Sequence, residues 1–407
     1  MNGTLVICDS NIPWHHNRYS KHHLMSRLAR ANDVVFVNPQ VGALELVRSG
    51  GARCLRLGAR LERPEGENLT VFTPLALPRR GEFSLLGKAD QRYFVRQLRK
   101  IIARYPKRDL VLFIGNPWNV FLLDAFPEAA CTLYHCSDNF PALFAGGLRE
   151  KVEQRETELI RRADLVVCSH PKLVQKCIAM RDDVCYLEHA VDERFLRPTE
   201  SVCSNQCPSD MTNIPHPRIG FVGSIDATVD FELLTKVAGD NTDLNFVLIG
   251  PTDDAHRGQL EALTTLPNVH WLATKPWADL PGYLWNLDVA IIPFAMTDFT
   301  AAGSPLKQFE YLAAGLPIVS TRLKFADAIR PHIRIGETPE QFGKQLREAC
   351  DETNHSSKVR ERIRTIETGY TWGIRAEELS QQIASRIGVS SCAAKSAPRL
   401  DDSTLPE

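Results

Sequence analysis

Two stretches of the chain concentrate residue types that can do chemistry. From 297 to 321 it reads TDFTAAGSPLKQFEYLAAGLPIVST. Gly303, Ser304 and Pro305 open a helix there, and Gly315-Leu316-Pro317 closes it into the next strand. A helix start offers free N–H groups and the positive end of a dipole to an anion. Lys307 adds a full charge in the first turn, and Glu310 lies three positions on, on nearly the same face. A cation beside an acceptor-only carboxylate suits a nucleotide diphosphate and its ribose diol. A surface i,i+3 ion pair is the plainer alternative. The second stretch, NIPWHHNRYSKHH at 11–23, holds His15, His16, His22 and His23 among the 12 histidines of the chain. His22 and His23 are adjacent and cannot share a helix face. No i,i+4 pair occurs, and no carboxylate or Cys completes a ligand set, so a metal site is not expected.

The composition bounds the rest. The chain has 407 residues, 43% hydrophobic and 24% charged, as in a soluble globular protein of about two domains. A formal net charge of −1 excludes bulk binding to nucleic acid. The charge is uneven: basic residues outnumber acidic ones from Arg48 to Arg108. That face would meet an anionic membrane surface or a lipid phosphate, or is simply solvated. The 11 Cys are scattered and mostly lie inside apolar strands, which reads as reduced core thiols of a cytosolic protein. Cys203 and Cys207 have no second pair at zinc spacing. MNGTLVICDS reads as a first strand rather than a leader, and no apolar run nears the ~20 residues a membrane span needs.

These residues need a frame to hold them. Short apolar runs alternate with helical patterns almost throughout, the pattern of parallel α/β units. TLVICD, DVVFVN, DLVLFIG, CTLYHC, DLVVCS and DVCYLE read as strands of a first domain, 1–196, with residues 40 to 87 irregular. A Pro- and Ser-rich linker is expected at 197–217. RIGFVG, NFVLIG, VHWLA, VAIIPF, LPIVST and IRI read as strands of a second domain, 218–371. A helix at 372–388 and a disordered tail at 389–407 follow. The fold class is α/β, two doubly wound sheets, with ligands expected outside the carboxyl ends of the strands. No G-x-G-x-x-G follows either opening strand, so a dehydrogenase is not expected.

PLKQFEYLAAGLPIVST resembles the nucleotide-sugar-binding segment of GT-B-fold glycosyltransferases, above all those of bacterial surface polysaccharide and exopolysaccharide assembly. RIGFVGSIDATVDFELL, NFVLIGP, LPGYLWNLDVAIIPF and YTWGIRAEEL are similar to their second domain in order and spacing. HHLMSRLA, FIGNPW, LYHCSDNF, RRADLVVCSH and EHAVDERFL have weaker counterparts in the first. The resemblance runs from residue 4 to about 385 and extends distantly to the xanthan β-glucuronosyltransferase. It implies two Rossmann-like domains facing across a cleft, with the C-terminal helix returning to the first domain. It also implies transfer of a sugar from a nucleotide-diphosphate sugar, with uridine the expected base, to a lipid-linked or saccharide acceptor in polysaccharide biosynthesis.

On that resemblance Glu310 holds the ribose hydroxyls and Lys307 contacts the diphosphate. Gly303 and Ser304 lie at the helix start, and Gly223-Ser224 form the turn that approaches the phosphates or the sugar. Thr274 and Pro276 flank the loop that holds the base. Asp138 in LYHCSDNF sits where inverting members place a catalytic base; a helix-capping or turn role is its alternative, and His135 is a rival base. His189 and Asp192 are given a structural role. Trp14, Arg18, His22 and His23 are expected to contact the acceptor, with Lys21 and Arg18 toward a phosphate. The chain departs from the retaining members: Ala302, Ser224 and Val229 stand where they carry a glutamate, an arginine and a lysine. No DxD motif lies in a metal-like context, so no cofactor or metal is expected. The partners are then the donor, the acceptor and an inner-membrane surface, without nucleic acid; the place is the cytoplasm, at the periphery of the membrane. A nucleotide-sugar epimerase of GT-B fold and a non-catalytic nucleotide-sugar binder are the other readings.

Overall fold

The computed structural model describes residues 3–15, 18–42, 59–64, 68–76, 85–198, 207–297, 300, 305–323, 325, 329–352 and 356–396. Contacts divide the chain into two units, Met1–Glu188 with Arg375–Glu407, and His189–Ile374.

The first unit is built on strands β1 (Leu5–Asp9), β2 (Asp33–Val37), β3 (Val41–Gly42), β4 (Ala59–Glu62), β5 (Leu69–Ala76), β6 (Leu110–Ile114), β7 (Cys131–Cys136), β8 (Leu165–Cys168) and β9 (Cys185–Tyr186). They form one sheet in the order β3-β5-β2-β1-β6-β7-β8-β9, with β4 antiparallel on β5 and every other pair parallel. Every residue of β1 and β6 is buried. This is why both read as unbroken apolar runs: helices cover both faces of a parallel sheet. The helices include α1 (Ser20–Leu28), α2 (Leu85–Ile102), α3 (Gly146–Arg162) and α4 (Pro171–Ile178). Residues 40 to 87 are not wholly irregular. β5 runs for eight residues between β2 and β3 despite Pro74, because its Val71 and Phe72 are buried and its ladder to β2 uses the residues before the proline.

The second unit holds β10 (Arg218–Val222), β11 (Asn245–Ile249), β12 (Val269–Trp271), β13 (Val289–Ile292), β14 (Ile318–Ser320) and β15 (Ile333–Ile335). The order β12-β11-β10-β13-β14-β15, all parallel, is the doubly wound arrangement, with its switch point between β10 and β13. Around it lie α5 (Phe231–Asp240), α6 (Arg257–Leu263), α7 (Leu280–Leu284), α8 (Lys307–Ala313), α9 (Pro339–Glu352) and α10 (Ser356–Gly369).

Three expected boundaries move. The segment 189–196 packs with the second unit: the Val191 amide donates to the Tyr370 carbonyl at 2.9 Å, and Phe195 enters that unit's core. Residues 207–217 of the expected linker are also fixed there. Met211 and Ile214 are buried in the core, and the Arg218 guanidinium donates to both their carbonyls at 3.0 and 2.8 Å. The last helix, α11 (Trp372–Ser396), runs past the expected tail boundary at 389. From Arg375 it belongs to the first unit, where Arg375 donates to the Glu188 carbonyl at 3.0 Å and Arg386 pairs with Asp183 at 2.9 Å.

Candidate functional site

In the second unit, the turn after β10 and the first turn of α8 meet. Tyr311, fully buried in α8, fixes them to each other: its hydroxyl accepts from the Val222 amide at 2.9 Å and donates to the Val222 carbonyl at 3.3 Å. Gly223 follows at φ +145°, a conformation that side chains avoid, and a Cβ there would lie 2.7 Å from Lys307 Nζ. Gly250, at φ +147°, is needed because a Cβ would lie 1.9 Å from the Gly223 carbonyl oxygen. The Lys307 ammonium lies 4.2 Å from the Phe221 ring centre and 4.6 Å from that of Phe294. Among the described residues no side chain or carbonyl accepts a hydrogen bond from it.

Burial pushes Lys307 down to about 8, against the pull of Glu310 and Asp226. Burial pushes Glu310 up to about 7, opposed by Lys307 and helped by Asp192. The two are electrostatically coupled but make no ion pair within 4.0 Å, which removes the surface-pair alternative. Both are partly desolvated, and among the described residues neither side chain has a hydrogen-bonding partner, an arrangement that could receive a ligand. α8 itself spans seven residues from Lys307, shorter than expected, so the side-chain charge outweighs its dipole. Gly303 and Ser304 lie outside the described residues, as does Asp298. Ser224, Thr274 and Pro276 are exposed in the turns after β10 and β12. Between the latter two, Lys275 is tied to Asp210 at 2.6 Å.

In the first unit, Asp138 is exposed two residues beyond β7. Its Oδ2 accepts from the Ser137 hydroxyl at 2.8 Å. The 3₁₀ turn Phe140–Leu143 starts at Asn139 with no side-chain cap, so Asp138 is not a helix cap. His135 is 1% exposed against Phe113 in the sheet, which rules it out as a base in this conformation. Two residues beside Asp138 carry more weight than the sequence reading gave them. Lys21 is buried; it donates to Asn11 and, at 3.3 Å, to the Gly115 carbonyl. Burial lowers its pKa, while Cys8, Asp138 and Asp9 raise it. Asp9, the last residue of β1, accepts from Asn119 at 2.9 Å through Oδ1, and burial pushes it up to about 7. An acidic residue ending an otherwise apolar opening strand was the available signal.

The histidine stretch is mostly structural. Trp14 and His22 were expected at an acceptor, but Trp14 is 3% exposed, with Phe36 at 4.9 Å and His22 at 5.3 Å between ring centres. His22 is fully buried; its Nδ1 accepts from the Tyr19 amide at 3.1 Å and its Nε2 meets the Pro13 carbonyl at 3.1 Å. Burial pushes it down to about 4, so it is neutral at pH 7. A helix with no apolar alternative at its start recruits these rings to cover β2. His23 is also buried, and Lys21 is occupied as described rather than turned to a phosphate. Arg18 is half-buried with its guanidinium 4.8 Å above Trp14. His15 pairs with Glu62 at 2.5 Å.

Among the described residues, one group of ligating atoms lies close enough to share a cation: the buried Cys136, Cys168 and Cys177 sulfurs, all within 4.8 Å of one another. They are part of the first unit's apolar core, with Cys168 and Cys177 in contact at 3.5 Å.

Residues 216–352 match the family model described as Glycosyl transferases group 1. Over 204 residues the chain is 30% identical to TuaH of Bacillus subtilis (strain 168), a glycosyltransferase named for teichuronic acid biosynthesis. That match covers 47% of this chain and 50% of that protein, so the chain spans about half the length of the curated relative it matches. HepE of Anabaena, solved with UDP and glucose, is similar with a TM-score of 0.63 and 12% identity, over 94% of this chain and 100% of that one. Sucrose-phosphate synthase of Thermosynechococcus elongatus is similar with a TM-score of 0.63 and 13% identity, over 95% and 100%. At these identities the solved structures show the fold, which is GT-B. Among the described residues no helix is long and apolar enough to cross a membrane.

Proposed function

We propose, for a chain of GT-B fold whose residues 216–352 match the group 1 glycosyl transferases, that it transfers a sugar from a uridine-diphosphate sugar to a lipid-linked or saccharide acceptor in surface polysaccharide synthesis, without a metal. The observation that carries this is the Gly223–Lys307–Glu310 arrangement. The glycine lets the Lys307 ammonium lie against the turn after β10, among the described residues nothing accepts a hydrogen bond from that ammonium, and the carboxylate can take both hydrogen bonds of a ribose diol. The UDP-bound relative supports uridine as the base.

In the proposed reaction the acceptor hydroxyl gives its proton to the Asp138 carboxylate while its oxygen forms a bond to the anomeric carbon. The bond from that carbon to the diphosphate oxygen breaks, and its electron pair leaves with the nucleotide diphosphate. Lys307 offsets the charge that develops there, the task a metal performs elsewhere. Asp138 suits the role because its carboxylate is exposed at a strand end and caps nothing.

A peripheral membrane contact fits the same reading. Arg92, Arg96, Arg99 and Lys100 are exposed on α2, at helical spacing, with Arg99 paired to Glu128 at 2.8 Å. The test of the function is incubation with a panel of UDP-, GDP- and TDP-sugars plus membrane lipid extract. UDP release dependent on the extract is expected. Tight nucleotide binding without release from any donor would instead make the protein a non-catalytic binder.

A further inference from the structure

The first unit contains a cavity of about 180 Å³ that the donor site does not use. It opens where β1, β2 and β6 end, on both sides of the point where the sheet order reverses. Ligands of doubly wound sheets bind at such points. We propose that this cavity holds one uncharged, hydroxyl-rich sugar ring, the acceptor's own, with the Asp9 carboxyl as its principal hydrogen-bond partner.

Three observations lead there. Asp9 is 3% exposed, lines the cavity, and its Oδ2 is buried with no hydrogen-bond partner. Buried polar atoms are rarely left so, and a ligand hydroxyl would complete the set. The wall combines the amides of Asn38 and Asn119 with the aromatic rings of Trp118 and Phe94. Sugars present alternating hydroxyl edges and apolar ring faces, and this lining offers a partner to each. The charge balance favours no anion. Asp9 and Asp90 bring two carboxyl groups, and Arg155 and the Lys21 that acts on Asp9 bring two cations; the Arg155 guanidinium lies 4.6 Å over Trp118 and donates to its carbonyl at 3.1 Å. A phosphate or a uronate would find no net positive charge there to offset its desolvation, a cost that a neutral hexose or N-acetylhexosamine does not carry. Lys21 acts on both Asp9 and Asp138, so the cavity and the proposed base share one electrostatic neighbourhood.

That the ring belongs to an acceptor rests on the transferase reading; that the cavity binds a neutral sugar does not. Saturation-transfer NMR on the full chain, without any donor, would titrate methyl glucoside, methyl N-acetylglucosaminide, glucuronate and glycerol phosphate. Binding of a neutral glycoside is expected, weakened at least tenfold in Asp9→Ala and in Gln91→Trp, which fills the cavity from α2. UDP-sugar affinity should stay unchanged in both variants, which also shows that they are folded. Equal glycoside binding by wild type and both variants, no glycoside binding, or preference for the anionic probes would overturn the proposal. Failure of the transferase reading would show separately, as glycoside binding without nucleotide release.

Discussion

At the scale of residues, the proposed donor site depends on two groups whose proton affinities have moved toward each other. Lys307 must be charged to bind a diphosphate, and its pKa is lowered to about 8. Glu310 must be ionised to accept a diol, and its pKa is raised to about 7. UDP-sugar affinity should therefore rise as pH increases through about 7 and fall as it passes about 8, with the apparent values belonging to the coupled pair. Calorimetric titration between pH 6 and 9.5 checks this, and a flat profile would contradict it. The same shifts affect folding. Glu310 takes up protons on folding between its ordinary value and about 7, so its contribution to stability falls as pH rises through that window. Lys307 releases protons on folding between about 8 and its ordinary value, so its penalty is relieved as pH rises there. Replacing Lys307 by Ala should weaken UDP-sugar binding roughly 10- to 100-fold, the ~1.5–3 kcal/mol of a charge-assisted hydrogen bond.

At the scale of elements, legibility followed burial. Parallel strands covered on both faces are continuous apolar runs, so β1, β6, β10 and β13 stood out in the sequence. β5 did not, since it carries Pro74 and lies between Arg- and Gly-rich segments. Lys307 and Glu310 were legible because their spacing on one helix is local. The roles of Asp9 and Lys21 were not, because the sheet brings them to Gly115 and Asn119 from about a hundred positions away. Trp14 and His22 misled for the opposite reason: aromatic and polar types in a loop suggest a ligand, while here they cover Phe36. Trp14→Ala should accordingly cost about 3–5 kcal/mol of stability, the range for a large core truncation, seen as a lower Tm. Unchanged Tm with weakened acceptor use would restore the contact role. On α2, replacing Arg92, Arg96 and Lys100 by Gln should weaken co-sedimentation with anionic vesicles roughly a hundredfold, at about 1 kcal/mol per charge. Transfer to a soluble acceptor should persist.

At the scale of the whole molecule, each unit has its own doubly wound sheet and its own core, and each places its unsatisfied polar chemistry at the carboxyl ends of strands near the switch point. The second unit supplies the cation and the carboxylate proposed to hold a nucleotide diphosphate. The first supplies Asp138, exposed, and Asp9, half satisfied, in the field of one buried lysine. This division assigns donor binding and proton transfer to different units, so they should fail independently. The most direct measurement compares wild type with Asp138→Asn in two assays run in parallel, UDP-sugar binding and acceptor-dependent UDP release. The account predicts equal binding and a release rate lowered at least a hundredfold, within the range of a lost general base. Release at the wild-type rate in Asp138→Asn would contradict it.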